Sequence, residues 1–155
     1  MRRVNALAAD VDYPAGRPAG YGAGFAELGP GLGASAVGVS VCELPPGESS
    51  YPYHYEYGNE EWLIVVAGRP TLRHPGGEDE LEPGDVVLFP IGPEGAHKLT
   101  NRSDVAARVL FLSTKHRPGV AVYPDSDKIG LWPEDDRDQI MVRRASGVDY
   151  WDGER

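Results

Sequence analysis

The stretch Tyr51–Tyr57, reading YPYHYEY, concentrates more potential chemistry than any other part of the chain. Side chains in a strand alternate between its two faces. In extended chain Pro52, His54 and Glu56 would therefore share one face, and Tyr51, Tyr53, Tyr55 and Tyr57 the other. The next strand-like run, EWLIVVA, sets Glu61, Leu63, Val65 and Ala67 together, with Trp62, Ile64 and Val66 opposite. In AHKLTN, His97 and Leu99 face one way while Lys98 and Thr100 face the other. Three segments thus place imidazoles and carboxylates on faces that are otherwise apolar. Buried groups of this kind need partners, and one shared divalent cation would satisfy them all. The candidate ligands are His54, Glu56, Glu61 and His97. Glu56 has a second reading, as a general base or as an outer partner of a ligand. His74 and His116 fall in turn sequences and are read as solvated, Glu94 as a surface charge, and Cys42, beside Val41, as packing.

The elements that must carry these side chains are short and β-rich. Twenty Gly and fourteen Pro punctuate the chain, as expected of an all-β sandwich or barrel. Strands are expected at 36–44, 50–57, 61–67, 85–90, 96–101 and 107–113, with a hairpin of 71–74 and 78–81 around HPGGE. No segment sustains a long 3.6-residue apolar period, so helices should be few and short. Residues 1–35 read as a Gly/Pro-rich arm with one strand near 24–28, 36–123 as the barrel, and 124–155 as an acidic extension. Within that extension 124–138 reads as loop, and both ends should pack along the barrel or on a partner.

A length of 155 residues suits one domain with its own core. The single cysteine precludes an internal disulfide and fits a reducing cytoplasm. No run approaches a membrane span, and the N-terminus is a poor secretory signal. A net charge of −9, from 24 acids against 15 bases, argues against nucleic acid and against anionic membrane surfaces. Four tyrosines together with Trp62 and Ile64 would form a large apolar outer patch, to be covered by the N-terminal arm or by a second copy of the chain. Tyrosine enrichment suits an interface, and a homodimer is expected.

The spacing of these residues is similar to that of the cupin superfamily, whose two motifs run G(x)5HxH(x)3–4E(x)6G and G(x)5PxG(x)2H(x)3N. The first is matched by Gly47, His54, Glu56, Glu61 and Gly68, the second by Gly84, Pro90, Gly92, His97 and Asn101. The resemblance spans about a third of the chain and includes the hairpin between the motifs. There are three departures: six residues rather than five follow Gly47, Glu56 replaces the second His, and four residues rather than two separate Gly92 from His97. The resemblance implies an antiparallel double-stranded β-helix (a jelly-roll barrel) with few short helices, and frequent homodimers. Asn101 matches a structural marker at a strand end.

The resemblance also implies one divalent transition metal per chain. Two His and two Glu would neutralise it, where three His and one Glu leave a net positive charge. Such a set prefers Fe, Mn, Ni or Zn over soft copper. Without Glu56, two His and one carboxylate resemble the arrangement of non-haem iron oxygenases. The resulting expectation is a metal-dependent enzyme, an oxygenase, isomerase or lyase, acting on a small polar organic molecule inside the barrel. The alternative is a non-catalytic small-molecule binder or sensor in the same pocket.

Overall fold

Twelve strands run through the chain, all paired antiparallel, in a computed structural model that describes residues 1–155. They are β1 (Gly24–Glu27), β2 (Val37–Leu44), β3 (Tyr55–Tyr57), β4 (Glu61–Ala67), β5 (Thr71–His74) and β6 (Gly77–Glu80). There follow β7 (Val86–Phe89), β8 (Lys98–Thr100), β9 (Ala107–Thr114), β10 (Gly119–Tyr123), β11 (Lys128–Trp132) and β12 (Ile140–Arg143). The one α-helix is a single turn, Gly29–Leu32, and four 310 turns complete the set. No helix is long and apolar enough to cross a membrane.

The strands form three sheets, ordered β1-β2-β9-β4-β7, β12-β11-β10-β3 and β6-β5-β8. The largest sheet turns Cys42, Leu44, Leu63, Val65, Phe89, Val109 and Phe111 inward against Leu72 and Leu99 of the three-stranded sheet, forming the main core. The alternation along β4 is as the residues dictate: Leu63 and Val65 are buried while Trp62 is 40% exposed. Gly68 closes β4 in a left-handed conformation, with φ of +77°, and a Cβ there would lie 2.6 Å from the Ala107 Cα. Only glycine fits that corner.

Three strands, β10, β11 and β12, fall outside the expected set. β10 and β11 form a hairpin that joins β3 and β12 in one sheet, so 124–138 is not all loop. Ile129 packs on Val122 and Tyr55. In KIGLW the apolar alternation of Ile129 and Leu131 is present but short, and the acidic flanks mask it. The N-terminal arm likewise contributes an edge strand, since β1 pairs with β2.

The tyrosine stripe is also different from expectation. Regular strand begins only at Tyr55, and the backbone bends at Ser50, Tyr51 and Tyr53 around Pro52. Period-2 alternation does not survive a bend. Tyr51 accordingly turns toward His54, with ring centroids 6.2 Å apart, and Tyr53 and Tyr55 are buried with Ala96 and Val122. Tyr57 is left 45% exposed. The β10–β11 hairpin supplies much of the cover that a second subunit was expected to provide.

Candidate metal centre

His54 and His97 are brought together by backbone pairing. They form an isolated antiparallel bridge in which each N–H donates to the other's carbonyl, at 3.1 and 2.8 Å. Residues that exchange both bonds project their side chains on the same side, and the two imidazole centroids lie 4.6 Å apart. Glu61 arrives from the other wall as the first residue of β4, paired with Phe89 of β7 and Ser113 of β9. Phe89 lies flat against the His97 ring, with centroids 3.6 Å apart and planes 6° from parallel. Tyr123, at the end of β10, stacks on His54 at 5.7 Å.

Each imidazole is oriented by a carbonyl two residues before it. His54 Nδ1 bonds to the Pro52 carbonyl at 2.8 Å, and His97 Nδ1 to the Gly95 carbonyl at 2.9 Å. A carbonyl can only accept, so both Nδ1 atoms carry the proton and both Nε2 atoms present a lone pair. The enlarged turn before His97 is what provides its carbonyl: Pro93–Gly95 forms a 310 turn. A Cβ on Gly95 would sit 1.9 Å from the Pro90 carbonyl oxygen, so the turn closes only with glycine there.

Burial sets the charges. It pushes the His97 pKa down to about 3, with the neighbouring His54 adding to the effect. His54 is lowered for the same reason, partly opposed by its bond to Pro52. Glu61 is pushed up to about 8 by burial and then by the nearby Glu56 carboxylate. Glu56 is raised by burial, against a hydrogen bond from Asn59. One Glu61 oxygen stands 3.8 Å from His54 Nε2 and 3.7 Å from His97 Nε2. Those separations are too long for hydrogen bonds, so no shared proton ties the three groups together. Two imidazole lone pairs and the Glu61 carboxyl, whose proton an incoming cation would displace, converge in a buried place, which is what a cation-binding set requires. His54, Glu61 and His97, with ligand atoms all within 4.8 Å of one another, could hold a metal ion.

Glu56 stands apart from that trio. It lines the same cavity, of about 280 Å³, as do Tyr51, Tyr123 and Trp132. Lys115 is the one Lys or Arg in its wall. Sequence reasoning missed Tyr51, Tyr123, Trp132 and Lys115 as cavity residues. Tyr51 was hidden by the bend at Pro52, while the other three sit on or beside β9–β11, where no ligand motif marks the chain. His74 bonds Asp79 across its hairpin, and His116 Nδ1 bonds the Gly58 carbonyl, away from the cavity lining.

Comparison with known proteins fits this geometry. The Cupin domain family (Cupin_2) matches residues 40–113. Over 97% of this chain and 98% of the other, the fold is similar to that of a sugar phosphate isomerase of the cupin superfamily from Silicibacter pomeroyi, with 25% identity and a TM-score of 0.81. A protein from Acidithiobacillus ferrooxidans, provisionally described as a sugar phosphate isomerase, is similar over 84% of this chain and 81% of its own, with 25% identity and a TM-score of 0.76. The polyketide cyclase of Streptomyces resistomycificus shares the fold at 23% identity, over 76% of this chain and 82% of its own, with a TM-score of 0.63. No curated protein sequence matches significantly. The chain carries a Cupin domain over residues 40–113, and its fold is that of the cupin superfamily.

Proposed function

We propose that this cupin is a metal-dependent enzyme acting on a small polar molecule in the barrel cavity, and that its substrate is a phosphorylated sugar undergoing aldose–ketose isomerisation. The observation that carries the reading is the buried His54–Glu61–His97 set with a further carboxylate, Glu56, in the same cavity. The substrate class is supported by the two structural neighbours described as sugar phosphate isomerases.

Isomerisation moves one proton between adjacent carbons, so it needs a polarised carbonyl and a base. A divalent ion on the three donors would supply the Lewis acidity. Glu56 takes the proton from the hydroxyl-bearing carbon and returns it to the former carbonyl carbon. The hydroxyl proton passes to the former carbonyl oxygen, so atoms balance. Burial raises the Glu56 pKa toward the range in which a carboxylate both accepts and returns a proton. Lys115 offers the phosphate a counter-charge, and the aromatic walls limit water.

The test incubates metal-loaded protein with glucose 6-phosphate, mannose 6-phosphate and ribose 5-phosphate in deuterated water. Ketose formation with deuterium entering carbon 1 or 2 is expected, and Glu56→Gln should slow it by about a hundredfold while metal content stays the same. Stoichiometric metal with neither turnover nor exchange would overturn the reading. Saturable binding without exchange would instead favour the non-catalytic binder.

We also propose a homodimer through the outer face of the largest sheet. Trp62 and Leu88 face each other across β4 and β7 and are 40% and 41% exposed. Sedimentation should show a dimer that Trp62→Glu dissociates, and a monomeric parent protein would contradict it.

A further inference from the structure

Tyr51 belongs to two concavities. On its other boundary lies a second pocket of about 390 Å³, outside the barrel, whose wall includes Arg17, Lys128 and Ser126. Arg17 comes from the N-terminal arm, Lys128 from the start of β11, and Ser126 from the 310 turn Pro124–Ser126. The polar groups that face this pocket from Arg17, Ser126 and Lys128 therefore come from the two chain ends, while Ser50–Tyr53 of the barrel complete its wall.

Its charge is unusual for a chain of net −9. Arg17 and Lys128 are both half-buried. The chain's ion pairs draw on other cations and leave these two without a carboxylate partner. Asp125, the acid in the pocket wall, is already committed: both of its oxygens accept from the Arg73 guanidinium. The two free cations rest instead on aromatic faces, Arg17 at 4.8 Å from the Phe25 centroid and Lys128 at 5.3 Å from that of Tyr123. That arrangement fixes their stems and leaves N–H donors available. Arg17 spends one of them on a long 3.4 Å contact with the Ala23 carbonyl.

A second observation points the same way. Ser126 Oγ is the one buried side-chain polar atom in the chain without a hydrogen-bond partner. Buried hydroxyls are ordinarily satisfied, and a χ1 rotation of Ser126 toward the pocket would let this orphan meet an incoming polar atom. Tyr51, at 39% exposure, and Tyr21 give the same pocket flat apolar sides.

We propose that this outer pocket binds a small organic anion, a phosphate or carboxylate group carrying a ring, separately from the barrel cavity. Arg17 and Lys128 hold the anionic oxygens, Ser126 donates its hydroxyl to one of them, and the ring lies against Tyr51 and Tyr21. The inference does not rest on the isomerase reading, because it shares only Tyr51 with that site.

Calorimetric titration of the full chain tests it, with phenyl phosphate, benzoate and inorganic phosphate as probes at fixed ionic strength. One molecule of a ring-bearing anion per chain is expected, bound more tightly than inorganic phosphate. Preference for phenyl phosphate or for benzoate identifies the head group. Arg17→Ala and Lys128→Ala should each weaken binding about tenfold, and Ser126→Ala about threefold. Arg17→Lys and Lys128→Arg should restore part of the affinity, which a merely folding-defective variant would not do. His97→Ala should leave binding as it is. The proposal is overturned by an absence of saturable binding, by binding indifferent to both cation variants, or by binding lost in His97→Ala, which would move the ligand into the barrel.

Discussion

On one side of Tyr51, two imidazole lone pairs and two carboxylates crowd a cavity enclosed by the barrel walls; on the other, Arg17 and Lys128 face a pocket with no free acid. The inner groups are placed by backbone: a bridge pairs His54 with His97, and the Pro52 and Gly95 carbonyls set their tautomers. The outer groups are placed by side chains lying on aromatic rings, on segments from the chain ends. The inner region gathers metal-ligating groups with a single lysine, Lys115, in its wall, and the outer gathers cations beside one acid that is already paired. The difference shows how a chain with many more acids than bases can still offer a positive pocket, by sequestering the one local acid on Arg73.

Four perturbations would break or sharpen that contrast. The largest effect is expected from Glu61→Gln or His97→Ala, which should reduce metal content from about one ion per chain to near none by elemental analysis. Phenyl phosphate binding should persist in both variants. If metal content is unchanged, the inner set is not the metal site.

The next is a pH effect on the metal-free protein. The Glu61 pKa is raised from 4.5 to about 8 in the folded state. Between those values the native protein keeps a proton that the unfolded chain has shed, so stability falls as pH rises through that window. Urea unfolding should show a loss of about 2 kcal/mol between pH 6.5 and pH 9, above the range in which His97 opposes it. Glu61→Gln should remove most of the slope. His97 works in the opposite sense: its folded pKa of about 3 lies below the ordinary 6.5, so stability is lost as pH falls from about 6.5 toward 3.

Gly95→Ala should cost about 2 kcal/mol in thermal unfolding, because its Cβ collides with the Pro90 carbonyl. It should also weaken metal binding by displacing the carbonyl that orients His97, while outer-pocket binding stays unchanged. The smallest effect is expected from Arg73→Ala. Its pair with Asp125 is about half exposed and screened, so stability should change by at most about 1 kcal/mol. Asp125 would then be free to pair with Lys128 or Arg17. Phenyl phosphate should bind about threefold more weakly, an outcome that calorimetry would detect.

How much of this was legible follows from the kind of interaction involved. β4 could be read residue by residue, because a strand packed on one face must alternate, and Glu61, Leu63 and Val65 do. The hairpin of β5 and β6 was marked by its turn residues. The YPYHYEY run was read correctly at Tyr55, which is buried away from the cavity, and wrongly at Tyr51. A proline-centred bend resets the phase of alternation, and composition does not show where. The β10–β11 hairpin escaped because its apolar residues are few and its flanks acidic. Its identity as sheet depends on partners distant in sequence, Tyr55 and Tyr57 among them.

By itself the sequence determined which residue types could form a site and which motifs space them. His54, Glu56, Glu61 and His97 were named from alternation and spacing, and the resemblance of that spacing to the cupin motifs implied the jelly-roll barrel. Tertiary structure alone decided that His54, Glu61 and His97 converge within 4.8 Å with Glu56 in the same cavity, that Tyr51 turns into that cavity, and that the two chain ends contribute the cations of an outer pocket. The physical reason is range. Alternation and turn chemistry are local and can be read along the chain, whereas convergence of Arg17 with Lys128 joins residues 111 positions apart, which only the packed fold brings to one place.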